Sequence, residues 1–181
     1  MTEALEQGEP FKRLFFALEC EAPQRRAIAR WRNALGTRIG RPVPSANFHL
    51  TLMFLGAVPS AQVAAVCAAA AAVPMPGKTV TVVLDRLEVW RSAKALMLTP
   101  TQTPAVLRQL VYALQQAMLP LGFNETPRDY RAHLTLARHY QGPVPEAMVA
   151  AEFFLRARQF TLFESRKGRY WPLAQWPLVT E

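Results

Sequence analysis

The sequence predicts an α+β fold in which two lobes face each other across a cleft, and three observations lead to that prediction. Strand-like and helix-like segments alternate along the 181 residues, with no linker or low-complexity stretch between them. The tetrapeptide His-Leu-Thr-Leu occurs twice, at His49–Leu52 and His133–Leu136, 84 residues apart. Each copy follows a helix-like segment and a loop rich in proline or glycine, so the two halves are expected to have related folds.

The first half of the chain predicts two strands and two helices. Residues 11–19 are β-prone and apolar on both faces, which is typical of a central strand. Pro23 begins a helix that carries apolar residues at helical spacing up to residue 35. The first His-Leu-Thr-Leu strand follows, and Ser60 can then cap a second helix over residues 61–73.

The second half predicts strands around one further long helix. Residues 80–90 and 95–99 are expected to form a hairpin, and a helix with an apolar stripe over 107–118 follows it. The second His-Leu-Thr-Leu strand comes next, then a short helix, and finally two strands over residues 153–165 and 170–178. The polar residues 1–10 are expected to be a loose leader, and residues 11–181 a single bilobal domain.

The charge of the chain favours a phosphate-bearing partner. It has 21 basic and 13 acidic residues, a net charge of +8, and only four of the basic residues are lysines. Arginine matches phosphate with a planar, bidentate fork, although a basic composition unrelated to any ligand is the alternative. The first helix carries four arginines, which form either a solvated face or a landing surface for a polyanion: Arg25, Arg26, Arg30 and Arg32.

Cysteine usage and the N-terminal sequence predict a cytoplasmic protein. Cys20 and Cys67 are widely spaced and match no zinc or redox motif, so both are expected to be reduced residues of the core. The first ten residues are polar and acidic, without the basic and then apolar pattern of a signal sequence. No apolar run is long enough to span a bilayer.

The repeated tetrapeptide predicts two halves of one catalytic site. Residues two apart on a strand share a face, so His49 lies beside Thr51, and His133 beside Thr135, with the leucines behind. Imidazole exists in both protonation states near neutral pH, so two imidazoles in one cleft can act as acid and base. In-line attack on phosphorus needs this pair, together with hydroxyl or guanidinium donors for the phosphate oxygens.

Other interpretations of the histidines are weaker. A metal site would need three or four ligands, and His49, His133 and His139 have few carboxylates near them in the sequence. A serine hydrolase would need a nucleophile motif that the chain lacks. Purely structural histidines are the general expectation for lone residues, but the duplication of the motif argues against that interpretation.

With these motifs, the chain resembles the 2H phosphoesterase superfamily, and within it the LigT-like RNA 2′,3′-cyclic phosphodiesterases, also described as 2′-5′ RNA ligases. The resemblance runs over most of the chain. It rests on both His-Leu-Thr-Leu strings and on the segments at residues 13–18, 41–43, 54–56 and 160–165. It implies a bilobal fold in which two antiparallel sheets line a central cleft and helices cover the outside.

The resemblance also implies an activity and roles for individual residues. Family members hydrolyse RNA 2′,3′-cyclic phosphate ends to 2′-phosphomonoesters without a metal or another cofactor. Carried over, His49 is the proton donor to the leaving O3′ and His133 the proton acceptor that activates water, while Thr51 and Thr135 hold phosphate oxygens. The implied partner is an RNA or nucleotide with a 2′,3′-cyclic phosphate, and the chain is expected to act as a monomer without a protein partner.

Two further residues near the second motif are predicted to bind substrate. Arg138 matches the arginine that the family has after this motif, but it is five residues beyond His133, so an ideal strand would direct it away from the cleft. A bulge or a strand end near Ala137 would therefore be needed. Tyr130 could stack on a base, although a packed loop tyrosine is an equal alternative. His139 is expected at the surface, or behind the residues that touch substrate, and Phe48 in the core.

Two alternatives to hydrolysis stay open. The same step run backwards, with an RNA 5′-hydroxyl as the nucleophile, would form a 2′-5′ linkage. A non-catalytic RNA- or nucleotide-binding module could use the same cleft and would bind in a salt-sensitive way.

Overall fold

The computed structural model describes residues 10–35, 38–124 and 130–180. Within them, two four-stranded sheets carry the fold. Sheet A is antiparallel with the order β10-β9-β1-β3, and sheet B is antiparallel with the order β2-β7-β6-β5. The strands of the two sheets are β1 Phe11–Glu19, β2 Arg41–Pro42, β3 His49–Pro59, β5 Arg86–Trp90, β6 Ala95–Thr99, β7 Leu134–Arg138, β9 Gln159–Arg166 and β10 Arg169–Pro177.

The remaining elements lie outside the two four-stranded sheets. Strands β4 (Val80–Leu84) and β8 (Phe153–Ala157) pair with each other as a separate antiparallel ribbon. The α-helices within the described ranges are α1 (Ala22–Asn33), α2 (Val63–Ala71) and α3 (Ala105–Met118). None of the helices that the structure describes is long and apolar enough to cross a membrane. The predicted α+β architecture, with antiparallel sheets and helices, is confirmed.

The main core lies between the inner faces of the sheets and the helices. On β1, Phe16 and Leu18 are fully buried in this core, whereas Phe15 and Ala17 belong to a smaller apolar cluster on the opposite face of sheet A. This alternation follows from the two-residue period of a strand. Helix α3 buries the stripe that its sequence predicts: Leu107, Leu110, Val111, Leu114 and Met118.

Two predicted strands are each divided in the structure. Residues 80–90 form β4 and β5, which belong to different sheets, and the break falls at Asp85, whose carboxylate accepts the N–H of Thr101 at 2.7 Å. Residues 153–165 are divided in the same way between β8 and β9, at Arg158. The divided strands pair with each other as β4 and β8, a non-local contact that local sequence patterns do not specify.

Other details of the prediction also change. Residues 139–152 contain no helix, so the short helix expected before the last strands is wrong. The second helix is shorter than expected, since residues 60–62 form a 3₁₀ turn before α2. Residues 1–9 of the predicted leader lie outside the described residues. Cys20 and Cys67 are free thiols, as expected, and burial raises the pKa of Cys20 to about 11.

Helix α1 has no continuous arginine face, because Arg32 is buried. Arg32 is only 6% exposed; its guanidinium donates to the main-chain oxygens of Val43 and Leu136 and lies 5.2 Å from the ring centroid of Phe48. Arg25 is half-buried and donates to the main-chain oxygen of Cys20, whereas Arg26 and Arg30 are exposed. Of the four arginines, Arg32 cannot serve as a landing surface for a polyanion.

Candidate active site

A cleft of about 470 Å³ opens between the two sheets. Both motif strands line it, β3 from sheet A and β7 from sheet B. Its volume lies within the range of small-molecule sites, which is about 300–1,000 Å³. The predicted site residues that the structure brings together here are His49, Thr51, His133, Thr135 and Arg138.

The two histidines are held in the same way. Nδ1 of His49 donates to the main-chain oxygen of Asn47 at 2.7 Å, and Nδ1 of His133 donates to that of Arg131 at 2.9 Å. In each case the acceptor is two residues upstream. A carbonyl accepts only, so Nδ1 carries the proton of the neutral imidazole and Nε2 is left to accept or donate a proton. Both rings are thus prepared for proton transfer at the same nitrogen.

Aromatic rings surround both imidazoles. The His49 ring lies 4.9 Å from Phe15 and 5.0 Å from Tyr170, measured between ring centroids. On the opposite wall, the indole of Trp90 lies 4.5 Å from the His133 ring. The Arg131 guanidinium covers the Trp90 ring at 4.5 Å from its centroid. These rings restrict the orientation of the imidazoles and cover part of each one, while both histidines stay partly exposed to the cleft.

This apolar packing favours neutral imidazoles. The pKa of His49 is lowered to about 4, mainly by burial; the hydrogen bond to Asn47 opposes the shift, and the positive charges of His133 and Arg138 contribute to it. Burial also lowers the pKa of His133, and Arg131 and Arg138 act in the same direction. A bound anion between the rings would reverse much of this effect, because a nearby negative charge stabilises the imidazolium form.

The two threonine hydroxyls lie on the cleft side of their strands. Oγ1 of Thr51 is 2.9 Å from Nε2 of His49, so that hydroxyl and imidazole form one hydrogen-bonded unit. The Thr135 hydroxyl donates to Sδ of Met97 at 3.3 Å, and thioether sulfur is a weak acceptor. A phosphate oxygen is a far better acceptor than this sulfur, so the Thr135 hydroxyl is available to a phosphate ligand.

A β-bulge directs Arg138 into the cleft. On β7, Thr135 pairs with Met97 and Ala137 pairs with Leu96, which leaves Leu136 without a partner on β6. The extra residue changes the parity of the strand, so Arg138 lies on the same side as His133 and Thr135 and lines the cleft. This bulge lies where the position of Arg138 in the sequence required one.

The same bulge occurs in the first motif strand. On β3, Thr51 pairs with Ala17 and Met53 pairs with Phe16, so Leu52 is the extra residue. Phe54 therefore occupies the position equivalent to Arg138, lines the cleft and leaves its ring 55% exposed. The two halves are related down to the main-chain irregularity, and they differ in the side chain that follows it.

Tyr130 is not one of the residues that line the cleft. Its hydroxyl donates to the main-chain oxygen of Thr51 at 2.7 Å, and its ring packs against the main core. Tyr130 thus supports the first motif strand from behind, because it binds the main chain and not a side chain of the cleft. Its predicted stacking on a base does not fit this position.

Two minor expectations can be compared with the structure. His139 is exposed, has a positive φ of 57° and is not among the lining residues. Phe48 is buried in the core, as expected. Over the described ranges, no group of three or more histidine, cysteine or acidic side chains could hold a metal ion.

The sequence did not single out several residues that line the cleft. Phe15 and Arg13 on β1 alternate with the buried Leu14, and this period of two was obscured because the strand is apolar on both faces. Trp90 ends β5 and reaches His133 only through the pairing of β5, β6 and β7. Tyr170, near the start of β10, closes the cleft beside His49.

Comparison with known proteins agrees with this geometry. The family model described as LigT-like phosphoesterase matches residues 18–95. The chain is 33% identical over 177 residues to the RNA 2′,3′-cyclic phosphodiesterase of Escherichia coli (strain K12), with 95% of this chain and 99% of that protein covered. The chain belongs to the LigT-like phosphoesterase family.

Further LigT-like relatives support the same conclusion. The RNA 2′,3′-cyclic phosphodiesterase of Bacillus subtilis (strain 168) is 28% identical over 125 residues, which cover 65% of this chain and 68% of that protein. A crystal structure of E. coli LigT in complex with 3′-AMP matches with a TM-score of 0.84 at 30% identity, over 94% of this chain and 99% of that one. The LigT-like fold is therefore that of the present chain, and membership makes the chain a phosphoesterase.

Proposed function

We propose that this LigT-like chain hydrolyses RNA 2′,3′-cyclic phosphate ends to 2′-phosphomonoesters by a two-histidine acid–base mechanism without a metal. The observation that carries the proposal is the matched presentation of two imidazoles in one cleft, each held through Nδ1 by a carbonyl two residues upstream. The names of the E. coli and B. subtilis relatives, RNA 2′,3′-cyclic phosphodiesterase, support the same substrate.

The chemistry needs one proton taken and one given. Nε2 of His133 removes a proton from water, and the water oxygen attacks phosphorus. The bond from phosphorus to O3′ breaks on the opposite side, and Nε2–H of His49 gives its proton to O3′. The product carries a free 3′-hydroxyl and a 2′-phosphate, and the enzyme regains its starting state when His133 returns its proton to solvent and His49 takes one up.

The non-bridging oxygens of the phosphate gain charge during this step. Thr51, Thr135 and Arg138 are the proposed donors to them, since all three line the cleft around the histidines. A guanidinium can donate two parallel hydrogen bonds to such oxygens. Donors that are held in place before the reaction stabilise the transition state more than mobile water does.

Substrate binding also favours the protonated form of His49, the form that the proposed acid needs. In the free site burial keeps His49 neutral, with a pKa of about 4. The negative charge of the cyclic phosphate raises that pKa, so His49 becomes protonated when the substrate is present. The mechanism therefore couples the protonation of the acid to the binding of the group that it will protonate.

The test is product analysis with purified protein, EDTA and adenosine 2′,3′-cyclic phosphate, followed by ³¹P NMR. We expect a single product, the 2′-phosphate, and a loss of about 10²- to 10⁴-fold in kcat for His49→Ala and for His133→Ala separately. The matched control is His139→Ala, which removes an exposed histidine outside the cleft. Absence of 2′-phosphate with wild type, or full activity of either cleft variant, would overturn the proposal.

The same assay separates the alternatives. Ligation is the reverse step, in which an RNA 5′-hydroxyl takes the place of water, and it would appear as a 2′-5′ linked product when a 5′-hydroxyl RNA is added. A pure binding module would retain the nucleotide without turnover and would keep its affinity in the histidine variants.

A single bilobal catalytic domain, a monomeric state and a cytoplasmic location stay predictions from the sequence.

A further inference from the structure

A second arginine lines the same cleft on the wall opposite Arg138. Arg13 on β1 is exposed and belongs to the lining of the cleft, while Arg138 comes from β7 in the other sheet. Among the described residues, no carboxylate lies within 4 Å of either guanidinium. Neither positive charge is neutralised by an ion pair within this part of the chain, so both are available to an anionic ligand.

Arg13 stands at one end of a row of three donors that runs across sheet A. It pairs with Ser165 on β9, which in turn pairs with Tyr170 on β10. All three residues line the cleft. Directly opposite residues in antiparallel strands project from the same face, so a guanidinium, a hydroxyl and a phenol lie side by side. These are the side-chain types that hydrogen-bond phosphate oxygens in nucleic-acid complexes.

Arg13 and Ser165 lie next to the proposed catalytic centre, whereas Tyr170, at the other end of the row, also contacts the His49 ring. The next row of sheet A towards His49 contains Phe163, Phe15 and Phe54, which are paired across the three strands. Phe15 contacts the His49 ring. Arg13 is two residues further along β1, about 7 Å at the rise of an extended strand. That separation, together with the length of an arginine side chain, suits a group one nucleotide away from the reacting phosphate.

The direction of the RNA in the cleft follows from the proposed roles of the histidines. If His49 protonates O3′, the ribose of the terminal nucleotide lies on the His49 side of phosphorus, against sheet A. Arg13 belongs to that sheet. In an RNA strand, the next negative charge on this side is the phosphodiester attached to the 5′-oxygen of the same ribose. The cyclic phosphate already has Arg138 and two threonines as donors, so Arg13 serves a second charge.

We propose that Arg13, with Ser165 beside it, forms a subsite for the phosphodiester on the 5′ side of the terminal nucleotide. This inference rests on the function proposed above and specifies its substrate class, an RNA chain in preference to a free nucleoside cyclic phosphate. The alternative is that Arg13 only adds to the general positive potential of the cleft, which would favour every anionic substrate alike.

The experiment compares two substrates that differ only at the 5′ position. Adenosine 2′,3′-cyclic phosphate has a 5′-hydroxyl, and its 5′-phosphorylated form adds a charge where the RNA chain would continue. For wild type we expect kcat/KM to be about 10- to 100-fold higher for the 5′-phosphorylated substrate, which is the range for hydrogen bonds to a charged group. In Arg13→Met, that ratio falls to within about threefold of one.

Matched variants make the result specific. Arg26→Met removes an exposed arginine of helix α1 and lowers the net charge by the same amount, and it should keep the wild-type ratio. Arg13→Lys retains charge without the planar fork and should give an intermediate ratio. Ser165→Ala should reduce the ratio in the same direction as Arg13→Met.

The outcomes for the two proposals are distinguishable. If wild type hydrolyses neither substrate, the proposed function fails. If wild type hydrolyses both with equal kcat/KM, or if Arg13→Met lowers kcat/KM for both by the same factor, the cyclic phosphodiesterase stands and the subsite is overturned. A circular dichroism spectrum and a melting curve for each variant distinguish loss of binding from loss of folding.

Discussion

The buried guanidinium of Arg32 donates a hydrogen bond to the main-chain oxygen of Leu136, 3.1 Å away. Leu136 is the extra residue of the bulge that directs Arg138 into the cleft. The same nitrogen of Arg32 donates to the carbonyl of Val43, whose N–H in turn donates to Leu136 at 2.9 Å. Helix α1 is therefore connected through one side chain to the irregular part of the second motif strand.

We expect Arg32→Met to lower both stability and activity. Loss of the guanidinium removes its hydrogen bonds to two buried carbonyls, which should reduce the free energy of unfolding by about 2–3 kcal/mol. Because the bulge then loses its support, Arg138 should no longer be held in the cleft, and kcat/KM should fall. Urea unfolding and steady-state kinetics measure the two effects. Arg26→Met, at an exposed position of the same helix, should change stability by less than about 0.5 kcal/mol.

A double-mutant cycle checks the route of that effect. If Arg32 acts on catalysis through Arg138, the variant that combines Arg32→Met with Arg138→Met should be no less active than Arg138→Met alone. Fully additive losses in kcat/KM would contradict the connection. Where Arg32→Met is too unstable to assay, Arg32→Lys keeps the buried charge and one donor group, and the same cycle can be measured with it.

Arg138→Met itself should lower kcat/KM by about 10²- to 10³-fold, because it removes a donor to the phosphate oxygens that gain charge in the transition state. Arg138→Lys should recover only part of this loss, since an ammonium cannot make the bidentate contact. The measurement is steady-state hydrolysis of adenosine 2′,3′-cyclic phosphate. A loss below about threefold would show that this arginine is not used.

Gly40→Ala should disturb Arg138 through the main chain. Gly40 has φ of +79°, and a Cβ there would lie 2.6 Å from the main-chain oxygen of Arg138 and 2.7 Å from that of His139. Gly122→Ala is the matched control, since its φ is +91° with no atom within 4 Å of the added Cβ. The control should lose about 1 kcal/mol of stability for its backbone conformation. Gly40→Ala should lose clearly more and should also lose activity; equal losses in melting experiments would contradict the steric role.

The pH dependence of kcat/KM should be bell-shaped, with its maximum below about pH 6.5, since kcat/KM reports the pKa values of the free enzyme. Burial lowers the pKa of both His49 and His133, the former to about 4. As pH falls through the lower pKa, the base becomes protonated; as pH rises through the higher pKa, the acid loses its proton. Both limbs of the profile therefore lie at a lower pH than the usual pKa of histidine, about 6.5.

The profile of kcat should differ from that of kcat/KM in one respect. The bound phosphate raises the pKa of the acid, so the descending limb of kcat should move to higher pH. Hydrolysis rates from about pH 3 to pH 9, with saturating and with limiting substrate, measure both profiles. A flat kcat/KM profile over this range, or a maximum above about pH 7.5, would contradict an acid–base pair of histidines whose pKa values are lowered by burial.

Much of the site could be predicted because its signals are local. His49 and Thr51 are two residues apart, as are His133 and Thr135, and the period of a strand brings each pair to one face whatever the rest of the chain does. The stripe of α3 likewise depends only on helical spacing. These features carry their geometry in the spacing of a few neighbouring residues.

The rest depends on partners that are distant in the sequence. Arg32 looks like any other arginine on a charged helix, and it is buried only because Val43 and Leu136, 11 and 104 residues away, present their carbonyls to it. Tyr130 is of a residue type that can stack on bases, but its hydroxyl donates to the main-chain oxygen of Thr51, 79 residues away. The spacing of neighbouring residues in the sequence does not predict hydrogen bonds between residues so far apart.

The paired bulges at Leu52 and Leu136 have a consequence for how the molecule distinguishes the two ends of a ligand. A cleft made from two equivalent halves would accept a small, nearly symmetric anion in either of two orientations. Phe54 and Arg138, at the equivalent positions, remove this degeneracy, since one offers a flat apolar face and the other a fixed positive charge. A nucleic-acid strand, whose two directions are chemically different, would thus be held in a single polarity by a near-symmetric scaffold.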